Sequence, residues 1–221
     1  AYRPHAKAHK SAEIAKMQKG AGAVGVCCAK LGEAEVLVSH DIKDILITTP
    51  VIGISKLTRM MQISKEATIS VVADNPDNLS EMAAVAQTCG IRPDVVIEVD
   101  VGQGRCGVQP GDPALQLAYE VMNADWLNFK GLQGYQGAIQ MMASFAERDA
   151  AARKAVGLLT DTADLIRKAG LPLEYLTGGG SGTSIIDAAS AGLTELQPGG
   201  YLFMDSRYRE IEWDHGNSIP F

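Results

Sequence analysis

The sequence contains no hydrophobic run of membrane-spanning length and no excess of positive charge. An apolar stretch such as residues 95–101 is interrupted by Glu98 and Asp100, whereas a membrane helix needs about 20 apolar residues. Lys and Arg total 20 against 26 Asp and Glu, which gives a formal net charge of −6 and a pI near 5.2. A net acidic surface disfavours nucleic acid and anionic membranes, so we expect neither as a partner.

Cysteine is scarce, and its spacing argues against a metal or disulfide framework. Cys27 and Cys28 are adjacent, and neither they nor Cys89 and Cys106 form a C-x-x-C pair. Neighbouring residues of a strand point to opposite faces, so we interpret the cysteines as small buried residues in a reducing compartment. Because no signal-peptide pattern opens the chain, we expect a cytoplasmic location.

No internal repeat or low-complexity segment is present, and short apolar runs instead alternate with longer helical patterns. The expected strands are residues 2–5, 24–28, 44–48, 68–72, 94–101, 128–134, 173–177 and 195–204. The expected helices are residues 11–19, 30–39, 54–61, 78–89, 114–123, 141–169 and 185–191. Strands that alternate with helices predict a parallel sheet buried on both faces.

Eight such strands predict an α/β fold, a closed (β/α)8 TIM barrel, in preference to an open doubly wound sheet. An open nucleotide-binding sheet needs a Gly-x-Gly-x-x-Gly motif after its first strand, and residues 7–10 read Lys-Ala-His-Lys. Functional residues of a barrel collect at the carboxyl ends of its strands. We therefore expect the site in the segments that directly follow the strands.

Three such segments carry candidate catalytic side chains. Lys7 follows the first expected strand. A lysine surrounded by apolar side chains and other cations has a lowered pKa, as an amine nucleophile requires. The alternative is that this segment is a solvated basic loop. Arg105 lies among three glycines after the fifth strand, in a backbone shaped either for a ligand or as an exposed turn. Tyr135 follows the sixth strand between two glycines, and a packed core tyrosine is the alternative.

A glycine-rich run follows the seventh strand and gives the strongest local signal. Residues 177–184 read Thr-Gly-Gly-Gly-Ser-Gly-Thr-Ser and precede a helical pattern, so their backbone N–H groups and hydroxyls predict a phosphate-binding loop. Pro198-Gly199-Gly200-Tyr201 adds further amides, and phosphate sites after strands 7 and 8 recur in barrels. A phosphate loop, a lysine, an arginine and an aromatic ring together point to pyridoxal 5′-phosphate.

Several of these segments are similar to the D-threonine aldolase family, which also includes D-serine dehydratases and 3-hydroxy-D-aspartate aldolases. The similar segments are residues 3–11, 25–30, 98–107, 177–182 and 195–201. The resemblance covers nearly the whole chain and implies an alanine-racemase-like barrel over residues 1–205. Residues 206–221 would start the connection to a C-terminal β-domain absent from this chain. Because the chain also begins without Met and ends shortly after a polar turn, we expect a fragment of a longer protein.

The resemblance also implies roles for individual residues. Lys7 would be the Schiff-base lysine, Arg105 would contact the phenolic oxygen of the cofactor, and Tyr135 would lie against its ring or the substrate. Gln197 occupies the place of an arginine beside the pyridine nitrogen in related racemases, and its neutral amide is expected to leave that nitrogen less protonated. The residues implied for the phosphate are Thr177, Gly178, Gly179, Gly180, Ser181, Gly199, Gly200 and Tyr201.

The activity implied by the resemblance is cleavage of a D-3-hydroxyamino acid to glycine and an aldehyde. A divalent metal is also implied, although its His-x-Asp or His-x-Cys ligand pair does not occur in this sequence, where His215 follows Asp214. Gln136 is more typical of the 3-hydroxyaspartate enzymes than of the D-threonine enzymes. Alternatives are a D-serine or 3-hydroxyaspartate dehydratase, a non-catalytic pyridoxal-phosphate carrier and a phosphosugar-binding barrel. A homodimer is the assembly expected of the full-length protein.

Overall fold

The computed structural model describes residues 1–214, and within them seven parallel strands alternate with seven α-helices. The strands are β1 (Val26–Cys28), β2 (Asp44–Ile47), β3 (Thr68–Ala73), β4 (Asp94–Glu98), β5 (Asn128–Gly134), β6 (Tyr175–Gly178) and β7 (Glu195–Leu196). The helices are α1 (Ala12–Gly20), α2 (Leu31–Ser39), α3 (Ile54–Ile63), α4 (Pro76–Cys89), α5 (Asp112–Asn123), α6 (Phe145–Lys168) and α7 (Ser184–Ala189).

The strands form one curled sheet in chain order from β1 to β7, and every neighbouring pair is parallel. Residues 1–5 join its two edges, because Tyr2 bridges to Leu196 and His5 bridges to Cys27. This first segment was predicted to be a strand, but it makes only isolated bridges. Pro4 lies in its middle and has no N–H to donate to a ladder.

The expected last strand is also shorter than predicted. It covers Glu195–Leu196 only, and a 3₁₀ turn at Gly200–Leu202 replaces the rest. Pro198 and the two glycines after it interrupt the ladder, since proline lacks a donor and glycine weakens strands. The helix predicted over residues 141–169 begins later than expected. Met141 ends a 3₁₀ turn, Ala138–Met141, and helix α6 begins at Phe145 with Ser144 as its N-cap.

A buried ion pair fastens the first segment to the sheet. The Arg3 guanidinium donates to both carboxylate oxygens of Glu195, at 2.7 and 2.9 Å, and also to Asp44. Arg3 is only 2% exposed, and a Cβ added to Gly25 would lie 2.0 Å from its Nη1. The start of the chain is thereby tied to the amino ends of β2 and β7.

The core lies in two layers. A small cluster inside the curled sheet contains Cys27, Leu46, Val72 and Val96. A larger apolar cluster fills the space between the outer face of the sheet and the helices. Strands buried on both faces are typical of a parallel α/β sheet. No helix within residues 1–214 is long and apolar enough to span a membrane.

Candidate active site

A cavity opens at the carboxyl ends of the strands, where functional residues were expected. Side chains from opposite sides of the sheet meet there although they are far apart in the chain. Among the residues that line it are His5, Lys7, Thr48, Arg105, Tyr135 and Gln197.

Lys7 lies in a 3₁₀ turn, Ala6–Ala8, whose start is fixed by His5. The backbone N–H of Lys7 donates to Nδ1 of His5 at 3.2 Å. The Thr48 hydroxyl donates to the carbonyl of Cys28 at 3.1 Å, so it accepts from Nε2 of His5 at 2.9 Å. Burial, followed by the charge of Lys7, lowers the pKa of His5 to about 3. His5 is therefore a neutral ring with both nitrogens engaged, and it positions Lys7.

The Lys7 amine lies near an aromatic ring and a second cation. Its Nζ is 5.0 Å from the centroid of the Tyr135 ring, and the Arg105 guanidinium carbon is 5.6 Å from the same centroid. Burial, followed by the charge of Arg105, lowers the pKa of Lys7, whereas burial raises the pKa of Tyr135. An amine in this environment is neutral more often at pH 7 than a surface lysine, and a neutral amine is nucleophilic.

The glycine-rich loop lies beside the cavity, and side chains already engage several of its amides. Gln140 Oε1 accepts from the N–H of Gly182 at 2.9 Å and of Thr183 at 3.2 Å. Asp187 accepts from the Thr183 hydroxyl at 2.5 Å and from the N–H of Gly180 at 3.4 Å. Burial raises the pKa of Asp187 to about 6. These amides stabilise the loop itself.

Other amides of the two predicted phosphate segments remain open. Within residues 1–214, the backbone N–H groups of Ser181, Gly199 and Gly200 have no hydrogen-bond acceptor, although Ser181 and Gly199 are buried. Ser181 Oγ accepts from the N–H of Tyr201 at 3.0 Å, which fastens the two segments together. A Cβ on Gly199 would lie 2.5 Å from the carbonyl of His5, so only glycine fits this approach. Free backbone donors that lie beside the His5 carbonyl, two residues before Lys7, suit a phosphate group.

The remaining predicted phosphate residues lie around this loop. Thr177 is buried, and its hydroxyl accepts from Gln197 at 2.9 Å, so it faces the inside of the sheet. Gly178 packs so closely on β5 that a Cβ would lie 2.2 Å from the Gly134 carbonyl. Gly179 has a φ of +76° at the turn out of β6. The Tyr201 hydroxyl accepts from Gln18 at 2.7 Å.

Gln197 belongs to a buried chain of polar side chains. Its Nε2 donates to Gln133 Oε1 at 2.8 Å, and Gln133 Nε2 donates to Glu98 Oε2. Burial raises the pKa of Glu98 to about 8. Sequence reasoning missed Glu98, Gln133 and His5 as parts of the site. The position of Glu98 and Gln133 at strand carboxyl ends was an available signal, but their contact was not.

Arg148 is a further residue that the sequence did not reveal. It is fully buried in α6 and donates to the carbonyls of Gly182 at 2.9 Å, Met142 at 2.5 Å and Glu212. Its guanidinium therefore connects the glycine-rich loop to the segment near residue 212. No motif marks such a residue, since an arginine in the first turn of a helix is ordinarily exposed.

Within the described residues, no group of three or more His, Cys, Asp and Glu side chains could hold a metal ion. His215 lies outside those residues, as do the other residues of 215–221 in the connection expected over residues 206–221. The donor set present around the cavity does not fit a divalent metal.

Comparison with known proteins places this fold and cavity in a family. Residues 2–207 match the alanine racemase N-terminal domain, and the chain therefore belongs to that family of barrel domains. It is 44% identical to a D-threonine aldolase of Arthrobacter sp. over 97% of its length. It is 38% identical to a 3-hydroxy-D-aspartate aldolase of Paracoccus denitrificans (strain Pd 1222) over 99% of its length.

A solved structure agrees with this assignment. The crystal structure of D-threonine aldolase from Filomicrobium marinum superposes with a TM-score of 0.96 at 40% identity, covering 100% of this chain and 59% of that one. The chain spans 56% and 57% of the two curated relatives. The similarity is thus to the barrel half of longer proteins. The alanine-racemase-like aldolase family implies pyridoxal 5′-phosphate as the cofactor.

Proposed function

We propose that this chain is the cofactor-binding part of a pyridoxal-phosphate-dependent lyase. The lyase would cleave the Cα–Cβ bond of a D-3-hydroxyamino acid to give glycine and an aldehyde. The observation that carries the proposal is Lys7, whose amine has a lowered pKa and lies 5.0 Å from the Tyr135 ring centroid in a cavity beside unpaired loop amides. The 44% identity to a D-threonine aldolase supports the choice of bond.

The residues present suit the cofactor. Lys7 would hold its aldehyde carbon, and the N–H groups of Ser181, Gly199 and Gly200 would hold its phosphate. Arg105 and Tyr135 would flank its ring, with Gln197 at the pyridine nitrogen. When bound, the cofactor supplies an electron sink for the pair released by a bond that breaks at the substrate α-carbon.

The chain's own groups differ in their ability to move a proton. Both ring nitrogens of His5 are engaged and its pKa is about 3, so it stays neutral. The raised pKa of Tyr135 keeps its phenol protonated. Lys7 Nζ is thus the lining group suited to accept a proton, from the β-hydroxyl in aldol cleavage or from the α-carbon in dehydration.

We propose further properties for the whole protein. From the family resemblance, it is a homodimer that acts on small D-amino acids and binds a divalent metal through ligands outside residues 1–214. Its free cysteines suit a reducing compartment, so we propose a cytoplasmic location. Threonine and 3-hydroxyaspartate are the substrates to compare, because the two curated relatives are named for them.

The test is borohydride reduction of the chain mixed with pyridoxal 5′-phosphate, followed by peptide mapping and product analysis. We expect an imine absorption band, a reduced label on Lys7, and glycine plus aldehyde from D-threonine or 3-hydroxy-D-aspartate. Lys7→Ala removes the band. Lys10→Ala is the matched control, since the Lys10 side chain is 65% exposed and three residues away.

The products and the labelled residues distinguish the aldolase from the alternative functions. A keto acid plus ammonia in place of glycine would indicate the dehydratase. A label on Lys7 without turnover of any D-3-hydroxyamino acid would indicate a cofactor carrier. A label spread over exposed lysines in a folded sample, with phosphate binding intact in Lys7→Ala, would contradict the pyridoxal proposal and favour a phosphosugar-binding barrel.

A further inference from the structure

Three buried side chains at or directly after the carboxyl ends of β4, β5 and β7 form one hydrogen-bonded chain, termed here the amide chain: Glu98, Gln133 and Gln197. Their exposed fractions are 3%, 1% and 5%. Gln133 Nε2 donates to Glu98 Oε2, and Gln197 Nε2 donates to Gln133 Oε1 at 2.8 Å. The same Gln197 Nε2 donates to Thr177 Oγ1 at 2.9 Å.

Glu98 determines which group of each amide in the amide chain donates a hydrogen bond and which accepts one. Gln133 presents its NH₂ group to Glu98 and its carbonyl to Gln197. An ionised Glu98, which a positive ring nitrogen at the far end favours, enforces this orientation because a carboxylate accepts hydrogen bonds and donates none. Gln197 in turn uses its NH₂ group on Gln133 and Thr177. Its Oε1 accepts no hydrogen bond from residues 1–214, and Gln197 lines the cavity. The atom left for a ligand is therefore an acceptor.

We propose that Glu98 and Gln133 are positioning residues that hold the Gln197 carboxamide with its oxygen toward the cavity, so that the site binds the ring nitrogen of pyridoxal 5′-phosphate as an N–H. This inference rests on the proposed function. It reverses the expectation, drawn from residue type alone, that a neutral amide leaves the nitrogen less protonated. An arginine there would offer donors only, which favours the unprotonated nitrogen.

The charges around Glu98 couple its titration to that nitrogen. Burial raises the pKa of Glu98, Arg105 lowers it, and the carboxylates of Asp74 and Asp100 raise it. A positive ring nitrogen at the far end stabilises the ionised form of Glu98, and the effect is reciprocal. Once Glu98 binds a proton it can also donate, so the direction of the amide chain is fixed most firmly while Glu98 is ionised.

The experiment is a pH titration of the ring-nitrogen chemical shift of [¹⁵N]pyridoxal 5′-phosphate bound to the chain. Binding at Lys7 is verified by borohydride labelling of each sample. We expect a protonated nitrogen in the unsubstituted chain. In Glu98→Gln, whose amide no longer dictates the orientation of Gln133, we expect the protonation midpoint to fall by at least about one pH unit, a ten-fold loss of proton affinity.

Two further variants keep the result interpretable. Gln133→Met interrupts the amide chain without touching Glu98, and it should lower the midpoint to a similar extent even where Glu98→Gln fails to fold. Asp94→Asn is the matched control, because Asp94 is a partly buried carboxylate of raised pKa at the opposite end of the same strand. The midpoint in that variant should equal that of the unsubstituted chain.

An unprotonated nitrogen in the unsubstituted chain would overturn the inference. Midpoints that stay unchanged in Glu98→Gln and Gln133→Met would do so too. In either case a label on Lys7 leaves the proposed function standing. Absence of the Lys7 label in the unsubstituted chain would overturn both.

Discussion

Replacing Arg3 with methionine should destabilise the chain strongly, because it breaks the contact that holds residues 1–5 to the sheet. Arg3 is 2% exposed and forms a two-pronged pair with Glu195, whose side chain is 8% exposed. The second partner, Asp44, is 37% exposed, so water can solvate that carboxylate once the guanidinium is gone. The buried charge left without a partner is therefore that of Glu195.

The expected loss follows from that unpaired charge. Removing one member of a buried ion pair typically costs about 3–5 kcal/mol, a large share of the ~5–15 kcal/mol that stabilises an ordinary domain. The double variant Arg3→Met with Glu195→Leu removes both charges and should lose less than either single variant. We expect a coupling energy of about 2 kcal/mol or more between the two positions.

The assay is urea unfolding followed by circular dichroism, with free energies compared in a double-mutant cycle. Arg167→Ala is the control, since its pair with Asp164 is exposed on both sides and exposed pairs contribute little. A loss below about 1 kcal/mol for Arg3→Met, as for a surface pair, would refute the conclusion that this contact closes the sheet.

Three other predictions concern the loops and the buried carboxyl group. Gly199→Ala places a carbon 2.5 Å from the His5 carbonyl and should weaken cofactor binding by at least about ten-fold, or 1.4 kcal/mol, in a spectroscopic titration. Gly20→Ala is the control, because its added carbon meets nothing within 4 Å and should leave the affinity unchanged. Equal affinities of the two variants would contradict the assignment of Gly199 to the phosphate-binding loop. Arg148→Met leaves three carbonyl oxygens without their donor, and each unsatisfied acceptor costs about 1–3 kcal/mol of stability. The midpoint of urea unfolding should therefore fall sharply. An unchanged midpoint would show that this arginine does not stabilise the glycine-rich loop. Because the pKa of Glu98 is raised from 4.5 to about 8, its contribution to stability is complete below pH 4.5 and is lost as pH rises toward 8. The stability of the unsubstituted chain relative to Glu98→Gln should therefore fall by up to ~1.4 kcal/mol per pH unit over that interval, and parallel stability curves would exclude the shift.

Much of the fold was predictable because its signals are local. Ser11 caps α1 through a hydrogen bond to the N–H of Ile14, and Gly90, at a φ of +66°, ends α4. The alternation of strand and helix patterns predicted the parallel sheet. The strand predicted around Pro4 forms only isolated bridges, and the one that contains Pro198 ends early. The strand predicted over residues 94–101 also ends early, at Glu98. The start of α4 was also earlier than predicted, because Asn75 caps it ahead of Pro76.

The candidate site was predictable only in part. Lys7, Arg105 and Tyr135 were predicted because each follows an expected strand, and the structure brings all three to one cavity; their roles stay a prediction. Which amides of the glycine-rich loop stay free for a ligand was not predictable from the sequence. It depends on Gln140 and Asp187, which accept hydrogen bonds from some of these amides.

By itself the sequence determined the alternation of elements, their caps, and the type of residue at the carboxyl end of each strand, because these depend on neighbours within a few positions. The tertiary structure alone decided the protonation of Lys7, the neutral state of His5 and the direction of the Gln197 amide. Those properties depend on burial and on partners such as Glu98 and Arg105, which lie far away in the chain. Electrostatic energies and hydrogen-bond polarity are set by distance in space, and only the closed fold fixes those distances.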